Sequence, residues 1–365
     1  MALVTIIPSL SFSRNFPVLV VNAEEVTTVV LKQGTETVLS ESYYPDDSGH
    51  FEIDLADLLT SLLTVDIPQL PGEQAGALAA FTITLTETGL TAEEFSFTLI
   101  KGGVLNGVED MDAFCAGNML TWHPQIKRVK LSDSEFITYY AVEPALVKAK
   151  AWFLSNPVIT VGAVLDAGHL HVINATFSVL RAMFPAYYYP RWIDIWIENQ
   201  SGAATWVQRY ELIDEYDQFD DLFLFENSLG GLDTIRFTGQ LTEQEKHDQE
   251  SAKFGLETRD YYLDFNRVMS KNTGLFQSQA ESDWAREFFA STNRWWWKDG
   301  VWKKITVSEY TVERVYNDMR SYKFEFSLSQ QEPLRNLARE VIPDPEDPYA
   351  FDFNDDFNHD YLIQQ

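Results

Sequence analysis

Residues Asp221 to Gly239 read DLFLFENSLGGLDTIRFTG, an apolar run, a turn and a second run that together have the form of one β-hairpin. Leu222, Phe223, Leu224 and Phe225 are all apolar, so both faces of the first strand have to be covered. Gly230 and Gly231 permit positive φ in the turn, and the return strand sets Thr234 and Arg236 on one face and Ile235 and Phe237 on the other. The segment is built to lie between two layers. It carries no pattern of catalytic residues, which points to recognition or assembly rather than turnover.

The rest of the chain favours the same class. Its 365 residues, 45% of them hydrophobic, suffice for two or three domains at roughly 100 to 200 residues each. Aromatic residues make up 14%, with 25 Phe, 16 Tyr and 10 Trp, and flat rings fit a pleated, half-buried surface. Acidic residues outnumber basic ones 55 to 27, for a formal charge of −28. Such a field repels a phosphate backbone unless a basic cluster overrides it, and no Lys/Arg cluster stands out, so no nucleic-acid partner is expected.

Cys115 is the single cysteine and cannot form an intramolecular disulfide. The start, MALVTIIPSLSFSRNF, lacks the basic flank and continuous apolar core of a signal peptide, so maturation in a reducing cytoplasm is expected. No apolar run approaches the roughly 20 residues that cross a bilayer, and no membrane insertion is expected.

Working outward, residues 1–100 alternate short β-rich runs with turns: FPVLVVNA, VTTVVLKQGTETVLSESYY, HFEIDL, AAFTITLTET and EEFSFTLI. That rhythm predicts an immunoglobulin-like sandwich, with a hairpin turn at Lys32-Gln33-Gly34-Thr35 and a short amphipathic helix over Asp54 to Leu63. Glycine-rich residues 101–118 read as a connection, after which strand signals continue to the hairpin with almost no helical periodicity, predicting a central antiparallel sandwich over 101–240. Residues 241–335 change texture, and SQAESDWAREFFAST places Trp284, Phe288 and Phe289 on one helical face, predicting a small α+β unit. Residues 336–365 form an acidic, aromatic arm with eight carboxylates and no Lys or Arg after Arg339. It cannot fold alone, and its Tyr349, Phe351, Phe353, Phe357 and Tyr361 suit docking on a neighbour. The expected fold is therefore mainly β.

Three constellations bear on chemistry. His169 and His171 in GHLHV stand two apart on a strand, a spacing usable for a metal, but no third ligand accompanies them. Asp352, Asn354 and Asp356 match the start of a calcium loop, yet Phe357 stands where glycine is needed and Ile363 where the bidentate glutamate belongs. Asp214, Glu215, Asp217, Asp220 and Asp221 could supply the paired carboxylates of a glycosidase; an acidic loop before a strand is the plainer reading in so acidic a chain. No metal or cofactor is expected, and the chain is not expected to be an enzyme.

Aromatic clusters carry the recognition reading. In NRWWWKDGVWKK, Trp295 and Trp297 share one strand face, Trp296 takes the other, and Trp302 returns after the Asp-Gly turn. Exposed indoles would stack on sugar rings; the alternative is that one face packs the core and the other an interface. Tyr187, Tyr188 and Tyr189, between prolines in PAYYYPRW, and Trp192 beside them, are equally suited to packing or to anchoring a partner.

FLFENSLGGLDTIRFTG, together with KNTGLFQSQAESDWAREFFAST and the WWWKDGVWKKITV hairpin, resembles tail or baseplate-type structural proteins of tailed bacteriophages and prophages, over residues 185 to 330. The resemblance implies a ring-forming β domain that joins tail components, sometimes with appended sandwiches touching host glycans, and a virion location after assembly in the host cytoplasm. It brings no residue with an assigned role. The expected partners are further copies of the chain, neighbouring tail proteins and a host surface glycan; the rival readings are a carbohydrate-binding adhesin and a glycoside hydrolase.

Overall fold

The computed structural model describes residues 2–67, 72–152, 158–185, 190–213, 218–254, 257–311 and 321–330. Among the described residues, those within 2–245 and 267–329 form one compact unit, and 246–254, 257–266 and 330 fall outside it. The architecture is mainly β, as expected, and no helix among the described residues is long and apolar enough to cross a membrane.

At the N-terminal end a five-stranded sheet runs in the order Leu10–Phe12, Glu93–Ile100, Leu78–Glu87, Thr27–Gln33, Glu36–Tyr43. A three-stranded sheet of Ala2–Leu3, Leu19–Asn22 and His50–Ile53 accompanies it. Alternation decides which side chains enter the core: Thr27, Val29 and Leu31 are buried while Thr28 and Val30 are only half-buried. Leu19, Val21, Val29, Leu31, Phe81 and Ile83 belong to one apolar cluster, closed by helix Ala56–Leu62 through Leu59. The hairpin turn falls at Gly34, with φ +58°, as the sequence predicts.

The central region holds a five-stranded sheet ordered Ile126–Val129, Gln208–Leu212, Trp192–Asn199, Ala145–Trp152, Val158–Leu165. The first pair is parallel, with Lys127 opposite Tyr210, where antiparallel pairing was expected throughout. A second sheet orders Phe136–Ala141, His169–Asn174 and the two-residue strand Gly72–Glu73, so the N-terminal region lends a strand to the centre. Two short helices, Met111–Gly117 and Phe177–Ala182, break what the sequence presented as a connection and as continuous strand. Asp110 accepts from the Ala113 amide at 2.9 Å to cap the first.

The strands of the opening hairpin share a sheet with strands on the far side of residue 240. Strands Asp221–Glu226 and Leu232–Phe237 pair with each other, and the first also pairs with Arg294–Lys298. They thereby head a seven-stranded sheet that continues through Val301–Thr311, Lys323–Leu328, Glu257–Asn272 and Leu241–Phe254. Its core takes Phe223, Phe225 and Phe237, all fully buried, together with Phe288 and Trp284 of helix Gln279–Ala290. Each such ring contributes roughly 1.5–3 kcal/mol on burial. Ser278 caps that helix from the Glu281 amide at 3.1 Å, and Arg294 donates to the Phe288 and Phe289 carbonyls near its end, both at 2.6 Å.

The opposite face of the hairpin, Leu224 and Leu232, packs with Phe136 and Val172 of the central region, Ile67 and Trp295. Both faces are covered, which is what the uninterrupted apolar run demands. The double glycine has a more specific cause than turn type. Gly230 has φ +76°, and a Cβ there would stand 1.6 Å from Lys101 O; at Gly231, whose φ is not positive, a Cβ would stand 1.8 Å from Leu120 O. The turn is pressed between two other backbone segments, and Asn227 fastens it by donating to Leu120 O at 3.0 Å while accepting from the Leu229 and Gly231 amides.

Candidate interaction sites

The aromatic hairpin divides as the alternation predicts only in part. Trp296 is 6% exposed, lies in the core of the seven-stranded sheet and donates to Asp221 Oδ1 at 3.0 Å. Trp295 is 9% exposed and packs with Leu224 and Leu232. Trp297 is 38% exposed and meets half-buried Trp302 across the strand pair, ring centroids 4.9 Å apart. The accessible aromatic surface of this hairpin is therefore Trp297 with the edge of Trp302. Tyr187, Tyr188, Tyr189, Tyr349, Phe351, Phe353, Phe357 and Tyr361 lie outside the described residues, as do Asp352, Asn354 and Asp356.

Trp192 stands on the outer face of the central five-stranded sheet. Two guanidinium groups approach its ring, Arg191 at 6.0 Å and Arg209 at 5.9 Å from the centroid. Arg209 in turn makes a bidentate pair with Asp194, at 2.6 and 2.9 Å, and Trp152 donates to the same carboxylate at 2.6 Å. Arg209 is held above its ordinary pKa by the Asp194 hydrogen bonds. This latch stiffens the face.

At the end of the same sheet is strand Val158–Leu165, VITVGAVL, which carries no charged residue. It pairs with Ala145–Trp152 on one side, and among the described residues no strand pairs with the other. Its inward residues fit closely: Leu165 is buried, and a Cβ at Gly162 would meet Met183 Cε at 2.7 Å. Its outward residues do not: Ile159, Val161 and Val164 are 59, 55 and 68% exposed. Soluble proteins ordinarily blunt such edges with charge, proline or a bulge; this strand has neither charge nor proline, and its register against the neighbouring strand shifts where Gly162 and Ala163 fall, between the Leu146 and Lys148 pairings. The sequence marks this run as a strand, but nothing in its pattern tells an edge from a centre.

Of the carboxylates singled out for glycoside hydrolysis, the two described ones serve as cross-links. Asp220 pairs with Lys130 and with Arg236, the latter at 3.0 Å, and Asp221 pairs with Lys271 at 2.5 Å. Asp214, Glu215 and Asp217 lie outside the described residues. His169 Nδ1 lies 2.6 Å from Glu73 Oε1, and His171 Nε2 lies 3.0 Å from Asp166 O. Among the described residues no three His, Cys, Asp or Glu side chains gather as a metal site.

Sequence reasoning missed a polar seam between the central region and the seven-stranded sheet. Lys127 Nζ contacts Glu135 Oε2 and Thr234 O at 2.5 Å each, and lies 4.9 Å from the centroid of the Trp284 ring. Asp233 accepts from Thr121 Oγ1 at 2.6 Å and Trp284 Nε1 at 3.1 Å, and its Oδ1 is 3.3 Å from His123 Nε2. All four ionisable groups are buried. Burial pushes Lys127 and His123 down and Glu135 and Asp233 up, and the ion pair with Lys127 opposes the rise of Glu135.

His123 also lines a cleft of about 390 Å³ whose walls include Trp122, Trp206, Phe114, Asn118 and Gln125. Trp122 is 45% exposed, yet its indole N–H donates to Ser228 Oγ at 2.7 Å. None of the described residues lining this cleft is Asp, Glu, Lys or Arg. The proline after TWH signals a loop; burial of the histidine beneath it has no signature in the sequence. No protein-family model, curated protein or solved structure matches the chain.

Proposed function

We propose that this chain is a non-enzymatic structural component of a phage tail or baseplate, assembling with copies of itself through β surfaces. The observation that supports this most is the uncharged strand Val158–Leu165, whose other edge no strand among the described residues pairs with, and its outward Ile159, Val161 and Val164. An unpaired strand edge offers a row of amides and carbonyls to another strand, and an identical strand approaching antiparallel satisfies both. Charge selects the same place. Copies carrying −28 each repel over most of their surface, and here the approaching strand contributes no charge, while the neighbouring strand carries Lys150 and Lys148, the latter paired with Glu198 at 2.7 Å. An isologous contact of this kind gives closed, twofold-related pairs. The resemblance to tail and baseplate proteins supports the virion setting, and the acidic arm with Tyr349, Phe351, Phe353, Phe357 and Tyr361 supports a second contact with neighbouring tail proteins.

Sedimentation velocity at tens of micromolar tests the assembly. The wild-type chain is expected to sediment as an oligomer and Val161→Lys, an exposed change, to shift it toward monomer with an unchanged circular dichroism spectrum. A wild-type chain that remains monomeric at every concentration contradicts the reading.

A further inference from the structure

We infer that the cleft walled by Trp122 and Trp206 is a binding site for a neutral saccharide. It is separate from the assembly edge, and either can fail without the other.

Four observations converge. First, Trp122 presents a large apolar ring, 45% exposed, in the wall of a concave cleft rather than singly on a convex surface. Second, that ring is not free to turn, because its N–H is held by Ser228 Oγ at 2.7 Å, and Ser228 is itself fixed in the turn whose carbonyl accepts from the Gly103 amide at 2.7 Å. A platform already immobilised loses little side-chain entropy when a ligand lands on it. Third, the walls that meet Trp122 combine a second indole, Trp206, with side-chain amides. Asn118 commits its Nδ2 to Phe114 O at 2.8 Å, leaving its Oδ1 as an acceptor, and Gln125 is exposed and offers both a donor and an acceptor. A pyranose has this mixed character, with an apolar C–H face to stack on an indole and hydroxyls around its rim that donate and accept.

The fourth observation is charge. In a chain with 22% charged residues and a net charge of −28, the described lining contains no Asp, Glu, Lys or Arg. Its one titratable wall residue, His123, is kept neutral by burial, with Lys127 beside it opposing protonation. A cationic peptide finds no counter-charge there, and an anionic ligand finds no cation, so the occupant is uncharged. At about 390 Å³ the cleft falls at the small end of the usual ligand-site range of roughly 300–1,000 Å³, which suits a mono- or disaccharide or the end of a longer glycan.

The test uses the full-length protein on an array of neutral and acidic glycans built from glucose, galactose, mannose, rhamnose and N-acetylglucosamine, followed by titration calorimetry with the best neutral binder. The expected result is saturable binding to neutral glycans. Trp122→Ala is expected to weaken it at least tenfold and Ser228→Ala, which keeps the ring but frees it, severalfold. Trp297→Ala, on the distant hairpin, should leave it unchanged. Thermal melts of each variant separate lost binding from lost fold, and Trp122→Phe, which keeps a stacking surface, should restore part of the affinity. Absence of binding to every neutral glycan overturns the inference. So does binding that survives Trp122→Ala, binding confined to acidic glycans, or capture of a proline-rich peptide that neutral sugars do not displace.

Discussion

Lys127 Nζ lies 2.5 Å from Glu135 Oε2 in a place where both side chains are almost fully shielded from water, 5 and 2% exposed. The contact sits where strand Ile126–Val129 meets Thr234 of the seven-stranded sheet, so it fastens two regions rather than one strand. Removing one member of such a pair is far more harmful than removing both, because the remaining charge stays buried without compensation. Lys127→Met is expected to destabilise the protein by about 3–5 kcal/mol, and Lys127→Met with Glu135→Gln by distinctly less. Urea denaturation of the two variants checks this, and equal losses would contradict it.

His123 gives the protein an acid-side dependence. Burial holds its pKa well below the ordinary 6.5, so the folded chain stays neutral there while the unfolded chain takes up a proton below that value. A proton bound only by the unfolded chain favours unfolding, so the contribution is intact above pH 6.5 and falls as pH drops, by about 1.4 kcal/mol per pH unit. Asp233 and Glu135, raised by burial, act in the opposite sense, because below their folded-state pKa the folded chain binds the extra protons. The difference in slope between wild type and His123→Gln, measured by chemical denaturation from pH 7.5 down to 5, isolates the histidine. Identical slopes would count against a neutral buried imidazole.

Gly230 and Gly231 are closed to any side chain by Lys101 O and Leu120 O. Since backbone rather than a flexible side chain stands in the way, Gly230→Ala and Gly231→Ala are each expected to destabilise by several kcal/mol, beyond the roughly 1 kcal/mol of an ordinary glycine replacement. Gly34→Ala, at positive φ but in open space, is the control and should show only the smaller backbone effect. Thermal unfolding of the three distinguishes close approach from turn conformation.

The tryptophan hairpin separates core from surface. Trp296→Ala removes a ring that touches Phe326 at 5.4 Å between centroids and anchors Asp221, and should destabilise by about 3–5 kcal/mol. Trp297→Ala, at 38% exposure, should change stability by no more than about 1 kcal/mol. Comparable losses would mean that Trp297 belongs to the core.

Periodicity carried the sequence reading a long way, and its failures have identifiable causes. The alternation in VTTVVLKQ, the Gly34 turn, helix Gln279–Ala290 and the two-sided burial of LFLF were all legible, because local spacing alone decides them. Strand Ile126–Val129 was not. Its Ile126 is 52% exposed while Lys127 is 5% exposed, the reverse of what polarity suggests, because Glu135 and Thr234 come from elsewhere in the chain to meet the lysine. Helix Phe177–Ala182 spans only six residues, too short for its period to show after the strand before it; the Asn174 side chain accepting from the Thr176 amide at 3.0 Å is the local signal that ends the strand. The hairpin at 221–239 was legible as buried, but its pairing with Trp295 and Trp296 was not, since strand order is set by long-range contacts. The cleft beside Trp122 was invisible for the same reason: Trp206 and Ser228, which complete it, lie far along the sequence.

The assembly proposal rests on one edge, and cysteine trapping probes that edge itself. Ile159, Val161 and Val164 share its outward side, and Cys115 is buried and does not compete. In antiparallel pairing of two copies, directly opposed residues bring their Cα atoms within about 4.5–5.5 Å, a separation that a disulfide spans. Under mild oxidation at least one of Ile159→Cys, Val161→Cys and Val164→Cys should form a covalent dimer rapidly, whereas Leu105→Cys, at 99% exposure in a loop, should not. If all three cross-link no faster than Leu105→Cys, copies of this chain do not meet along strand Val158–Leu165.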